Sequence, residues 1–191
     1  MIRDLLARLV EGLFQPRRSA HWVLSANHGI DTALLFIVLA YSLQAVIQIL
    51  LPGARTLPEG FEGLPLAMHL LNLLLQVLLA GMMSFMIFAV GRLFGGTGSR
   101  LQAFVIVGWH TLVTTLLAPP FLLGMAQIAA GSGVSPAMLG LMVAAGIVWL
   151  WVLAVYTAVL HGFGSVWAVM GVITGALLLV SALFMNMMPA P

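Results

Sequence analysis

The chain has 191 residues, 62% of them hydrophobic and only 6% charged, with a mean hydropathy of +1.15. A soluble domain carries about 25% charged residues, so this composition excludes a water-covered globule and makes the bilayer the solvent. Seven basic residues, all arginine, against five acidic ones leave a net charge of +2, too sparse to suggest nucleic-acid binding; the lack of cysteine removes disulfides, thiolate metal sites and thiol nucleophiles.

At about 20 apolar residues per crossing, the length predicts one membrane domain of five spans, residues 29–191, behind an N-terminal segment, residues 1–28. No signal peptide is expected, because charged residues interrupt the apolar pattern of the N-terminus. Residues 1–15 read as an amphipathic helix. Ile2, Leu5, Leu6, Leu9, Val10, Leu13 and Phe14 recur at i, i+3 and i+4, with Arg3, Asp4, Arg8 and Glu11 opposite. Such a helix suits the membrane interface; the alternative is packing on a partner or on the bundle. Pro16 ends it, Arg17 and Arg18 are expected at lipid headgroups, and Trp22 fits the interfacial aromatic belt.

Span 1 is predicted over 30–51, closed by Leu51-Pro52-Gly53, and span 2 over 66–90. Span 3 covers 101–118, where Pro119-Pro120 must end or kink the helix, with 121–130 continuing as a short displaced helix. Span 4 covers 137–160 and span 5 covers 166–188. Arg3, Arg8, Arg17, Arg18, Arg92 and Arg100 fall on one side; Arg55 is offset by Glu59 and Glu62 on the other. The positive-inside rule then predicts a cytoplasmic N-terminus and a C-terminus on the outer side of the membrane.

Polar residues inside the spans are the candidate site. Tyr41, Gln44 and Gln48 form one stripe on span 1; His69, Asn72 and Gln76 form a matching stripe on span 2. Facing each other, they are either a polar pathway or interhelical hydrogen bonds worth about 0.6 kcal/mol each. His110, deep in span 3, is a candidate functional residue on the same reasoning. The histidines show no HxxxH or HxxE spacing, so no metal or cofactor is expected. His28 with Asp31, and His161, read as capping or interfacial groups. Met82, Met83 and Met86, with Met185, Met187 and Met188 at the end of span 5, raise Cu(I) as an alternative; methionine is also ordinary apolar filler. Gly171 and Gly175 make a GxxxG packing face, echoed by Gly140 with Ala144 and Ala80 with Ser84.

The polar interruption at 91–100 is not a nucleotide loop, since Thr97 and Gly98 stand where the Lys and hydroxyl belong and a helix precedes it. Arg92 and Arg100 remain candidates for lipid phosphate or an acidic partner. Gly96-Thr97-Gly98-Ser99 is partly repeated as Gly162-Phe163-Gly164-Ser165, each opening a span. The run from Gly91 to Ser99 into Leu101-Gln102-Ala103-Phe104, with His161-Gly162-Phe163-Gly164-Ser165-Val166-Trp167-Ala168, resembles bacterial members of the Yip (Ypt-interacting protein) domain family over residues 15–188. That resemblance implies a five-span membrane protein with a cytoplasmic N-terminus and brings no catalytic residues. Eukaryotic members, which bind prenylated Rab-type GTPases, carry a long N-terminal region and an Asp-Leu-Tyr-Gly-Pro motif after span 2. Here only residues 1–29 precede span 1 and Arg92-Leu93-Phe94-Gly95-Gly96 occupies the loop, so that partner is not carried over.

The expectation is therefore an all-α polytopic membrane protein without enzymatic activity. It would be an accessory or organising subunit in contact with anionic lipids and with another membrane protein or a second copy. The alternative is a small transporter or copper permease using the intramembrane His, Gln and Met residues.

Overall fold

The computed structural model describes residues 2–26, 28–51 and 65–187. The described residues form helices and turns, without a strand among them. In chain order the helices are α1 (Ile2–Phe14), α2 (Pro16–Ser25), α3 (Ile30–Leu50), α4 (Pro65–Leu93), α5 (Arg100–Thr114), α6 (Ala118–Ala129), α7 (Pro136–His161) and α8 (Val166–Met187), with one 3₁₀ turn at Thr115–Leu117. Four stretches are long and apolar enough to cross a membrane: Ile30–Leu50, Leu70–Leu93, Arg100–Ala129 and Pro136–His161. The described apolar part of α8, Val166–Leu179, is shorter. The fold is a helical bundle with the composition of a membrane protein.

α5 is its axis, in contact with α1, α2, α3, α4 and α7. Ala103, Val105, Ile106, Val107 and Trp109 are all buried in that position. Gly108 brings α3 close: a Cβ there would stand 2.7 Å from the Ala33 carbonyl oxygen. A capping box opens α5, with Ser99 Oγ accepting from Gln102 N–H at 3.2 Å and Gln102 Oε1 accepting from Ser99 N–H at 3.0 Å.

Pro119-Pro120 does not end this stretch. The chain tightens into the 3₁₀ turn and resumes helix at Ala118, so both prolines lie in the first turn of α6, where a missing N–H costs little. Helix then continues to Ala129, the short helix expected beyond the prolines, beginning at Ala118 instead of 121.

The N-terminal segment is also more ordered than its composition suggests. Pro16 ends α1 but opens α2, and the two helices dock on α5 and α7. Leu9, Ser19, Ala20 and Val23 are buried there. Gly12 lies against Val113 and the Tyr156 hydroxyl. Trp109 Nε1 donates to Ser19 Oγ at 2.8 Å, and the Tyr156 hydroxyl lies 3.2 Å from Ser19 Oγ and 3.3 Å from the Gly12 carbonyl. Each hydroxyl has one proton. The consistent chain runs from Trp109 N–H to Ser19, from Ser19 O–H to Tyr156, and from Tyr156 O–H to the Gly12 carbonyl. Glu11 bridges Arg8 (2.8 Å) and Arg18 (2.9 Å) on the outer side. Leu5, Leu6, Val10 and Phe14 stay uncovered by the chain.

Candidate functional site

Short turns make α4 antiparallel to α5 and α7 antiparallel to α8, and the two turns meet at one end of the bundle. Thr97 N–H donates to the His161 carbonyl at 3.3 Å, and a Cβ on Gly98 would stand 2.7 Å from Leu160 Cγ and 3.0 Å from its carbonyl oxygen. The His161 ring fills the junction, 2% exposed, where a Cβ at Gly91 or Gly96 would run into it. Neither ring nitrogen has a partner in hydrogen-bond geometry, although the Ile87 carbonyl and the Arg92 guanidinium are near enough to act on it. Gly162 takes a left-handed conformation (φ 72°) to end α7, as glycine does at helix C-termini.

Below this junction α4 and α8 splay apart. α8 packs chiefly on α7, and α4 chiefly on α5 and α3. The gap is a groove of about 690 Å³ that opens sideways from the bundle. Trp149, Leu153 and Thr157, at four-residue spacing on α7, make its floor. Met82, Met83, Met86 and Ile87 line the α4 wall; Ala168, Val172, Ile173 and Ala176 line the α8 wall. Phe163, Gly164 and Ser165 close the end near Gly91 and Phe94. Two hydroxyl-bearing residues, Thr157 and Ser165, belong to this apolar lining. Ser165 Oγ accepts from Ala168 N–H at 3.2 Å and so caps α8. The Thr157 hydroxyl, on a residue 5% exposed, has no hydrogen-bond partner among the described residues.

The residues singled out from sequence are scattered around this groove. Gln44, Gln48 and Gln76 are half-buried and Asn72 is exposed. Among the described residues no hydrogen bond joins Gln44 or Gln48 to Asn72 or Gln76; the side chain of His69 lies outside the described residues. His110 is 1% exposed, with Nε2 3.2 Å from the Trp149 carbonyl. A carbonyl only accepts, so Nε2 carries the proton. Its ring lies edge-on to Trp149 and Tyr156. His110 thus sits behind the groove floor, sealed from it by Trp149. Gly171 and Gly175 are exposed, and a Cβ on either would meet nothing within 4 Å, so among the described residues this GxxxG joins no spans. Gly140 is equally open, whereas Ala80 and Ser84 are buried.

The arginines form two groups. Arg92 Nη1 donates to the Gly96 carbonyl at 3.3 Å, and the Arg100 guanidinium lies 5.3 Å above the Phe88 ring, both at the groove's closed end. Arg17 and Arg18 border a separate cavity of about 400 Å³ with Phe14, Trp151 and Val166. His28 lies edge-on to Trp22 and Phe36. Among the described residues no group of three or more His, Cys, Asp or Glu is placed to hold a metal. Met82, Met83 and Met86 serve as groove lining; Met185, Met187 and Met188, and Arg55, Glu59 and Glu62 in the 52–64 loop, lie outside the described residues and side chains.

The groove was not foreseen. The sequence marks single helices as apolar but not which of them, here α4 and α8, stay apart. No family model, curated protein or solved structure matches the chain.

Proposed function

We propose that this chain is a non-enzymatic integral protein of a bacterial inner membrane, an accessory or organising subunit that acts through lipid and helix–helix contacts. In this reading α8 is the fifth span, and the uncovered apolar side chains of α1 lie at the interface of the cytoplasmic leaflet. The observation that carries it is the outward face of the bundle. Leu70, Leu74 and Leu78 on α4, Leu139 and Ile147 on α7, and Leu178 on α8 are more than half exposed. So large an apolar surface needs lipid or other helices as its solvent. The open GxxxG at Gly171 and Gly175 supports contact with a further helix. Arg17, Arg18, Arg92 and Arg100 supply the contacts to anionic headgroups. Membership of the Yip domain family, proposed on the two glycine-rich turns, accords with this arrangement.

Purification from membranes in mild detergent is the test, with a stoichiometric protein partner or a defined oligomer as the expected result. Substrate or copper uptake into vesicles by the protein alone would overturn the reading in favour of a transporter.

A further inference from the structure

We propose that the elbow between α1 and α2 is a phosphate site, occupied by the headgroup of one anionic glycerophospholipid, with Arg17 and Arg18 as its donors. The site deepens the reading given above, giving two of its arginines a single address, and rests on its premise that α3 and α7 span a bilayer.

Charge selects an anion. Arg8, Arg17 and Arg18 stand around the elbow against one carboxylate, Glu11. Arg8 is taken up by Glu11 at 2.8 Å and by the Trp22 ring, 4.9 Å from its centroid. Arg18 meets the same carboxylate through Nε at 2.9 Å, which holds its side chain beside the cavity of about 400 Å³ and leaves the Nη pair unused among the described residues. Arg17 borders that cavity too, is exposed, and makes no ion pair or hydrogen bond among the described residues. Glu11 thus offsets one guanidinium and positions a second, while the charge of Arg17 is left over. A guanidinium presents paired N–H groups that match phosphate oxygens.

Depth and lining make the phosphate a lipid's. α3 approaches α5 through Ala33 at Gly108 and further along meets the 115–117 turn and α6, so α3 and α5 run the same way. Gly108 lies roughly 12 Å along α5 from Arg100 at 1.5 Å per residue. The first turn of α3, where that span enters hydrocarbon, is level with Gly108, and the junction around His161 projects beyond it. Trp151 and Val155 lie roughly 15 and 9 Å from the end of α7 on the same count. The cavity they share with Arg17 and Arg18 therefore opens at the level where α3 starts. Trp22, 5.5 Å from Trp109, and Trp151, 5.2 Å from Trp167, mark that level with indoles, the side chains favoured at a bilayer interface. Beside the guanidiniums stand Phe14, 81% exposed, and Trp151. A lipid matches both halves of this lining, with phosphate on the arginines and glycerol and first methylenes on the rings. A soluble phosphate uses only the first.

The test reconstitutes the full chain in phosphatidylcholine vesicles containing a minor share of phosphatidylglycerol. Native mass spectrometry of the detergent-released protein then counts the lipids that stay on each chain. The expected result is about one phosphatidylglycerol per chain, retained after phosphatidylcholine has been stripped. Arg17→Gln breaks no contact among the described residues and lowers that occupancy by about tenfold, the scale of one hydrogen bond to a charged group. Arg3→Gln removes the same charge from an exposed position of α1 outside the cavity and leaves the occupancy unchanged. Phe14→Ala lowers it. Occupancy untouched by Arg17→Gln overturns the site, and an equal loss from Arg3→Gln overturns it in favour of diffuse attraction to the basic segment. Displacement of the lipid by excess inorganic phosphate, or retention unchanged by Phe14→Ala, overturns the lipid as occupant in favour of a soluble phosphate. A protein that does not float with the vesicles overturns the membrane reading together with the site, and is recognised by that failure to float.

Discussion

A methyl group at Gly91 or Gly96 would occupy the space of the His161 imidazole, which is walled in and cannot swing aside. Gly91→Ala and Gly96→Ala are therefore expected to destabilise the protein by about 1–3 kcal/mol, the range for overpacking a filled site. Thermal unfolding in detergent reads this as a lower Tm, and His161→Ala in the same chain restores part of the loss. Gly171→Ala gives the opposite sign, because its Cβ would meet no atom of the chain and alanine favours helix by up to about 1 kcal/mol. A second residue-scale expectation concerns Ser19, which receives the Trp109 N–H and donates toward Tyr156. Ser19→Ala strands two buried groups and is expected to lose about 1–3 kcal/mol. Proteolysis of α1 and α2 from the folded bundle should accelerate with it, since this network ties them to α5 and α7.

At the scale of elements, the two related turns do the same mechanical work. Ser99 caps α5 and Ser165 caps α8, and each turn closes against the end of α7. Their likeness in sequence is accounted for by capping without any bound ligand. Ser99→Ala removes one half of a capping box and is expected to cost about 1 kcal/mol, with faster amide exchange confined to the first turn of α5. The polar stripes of α3 and α4 show the converse. Spacing put Gln44, Gln48, Asn72 and Gln76 on helix faces correctly, but spacing contains nothing about how far apart two helices settle. α3 packs mainly on α5 through the Gly108–Ala33 approach. Similarly, Arg17 and Arg18 announced a surface segment, while small residues between them and Trp22 allowed α2 to sink onto α7.

For the whole molecule, the two turns at one end and the 130–135 turn at the other define a top and a bottom. The chain has no cysteine, so single introduced thiols report sidedness without background. With the N-terminus in the cytoplasm, Ser132→Cys is expected to react with a membrane-impermeant maleimide in intact cells, and Thr97→Cys only after permeabilisation. The reverse pattern would invert the proposed topology and place the groove's closed end in the outer leaflet.

By itself the sequence determined the solvent, the secondary structure and the punctuation. An apolar fraction of 62% with 6% charge calls for a surface that faces lipid or other helices. Helicity within a span is a local property, set by backbone hydrogen bonds four residues apart. Proline, glycine and serine ended or capped the helices by equally local means, and at Pro119-Pro120 both the disturbance and the short helix beyond it were visible. What only the tertiary structure decided is which helices touch. α5 at the centre, His161 against Gly91 and Gly96, His110 behind Trp149, and the gap between α4 and α8 all depend on contacts between residues far apart in the chain. Along an almost uniformly apolar sequence every helix face resembles every other, so no periodicity marks a partner. The choice falls to close packing, where a glycine, a ring or one unclosed gap decides the arrangement.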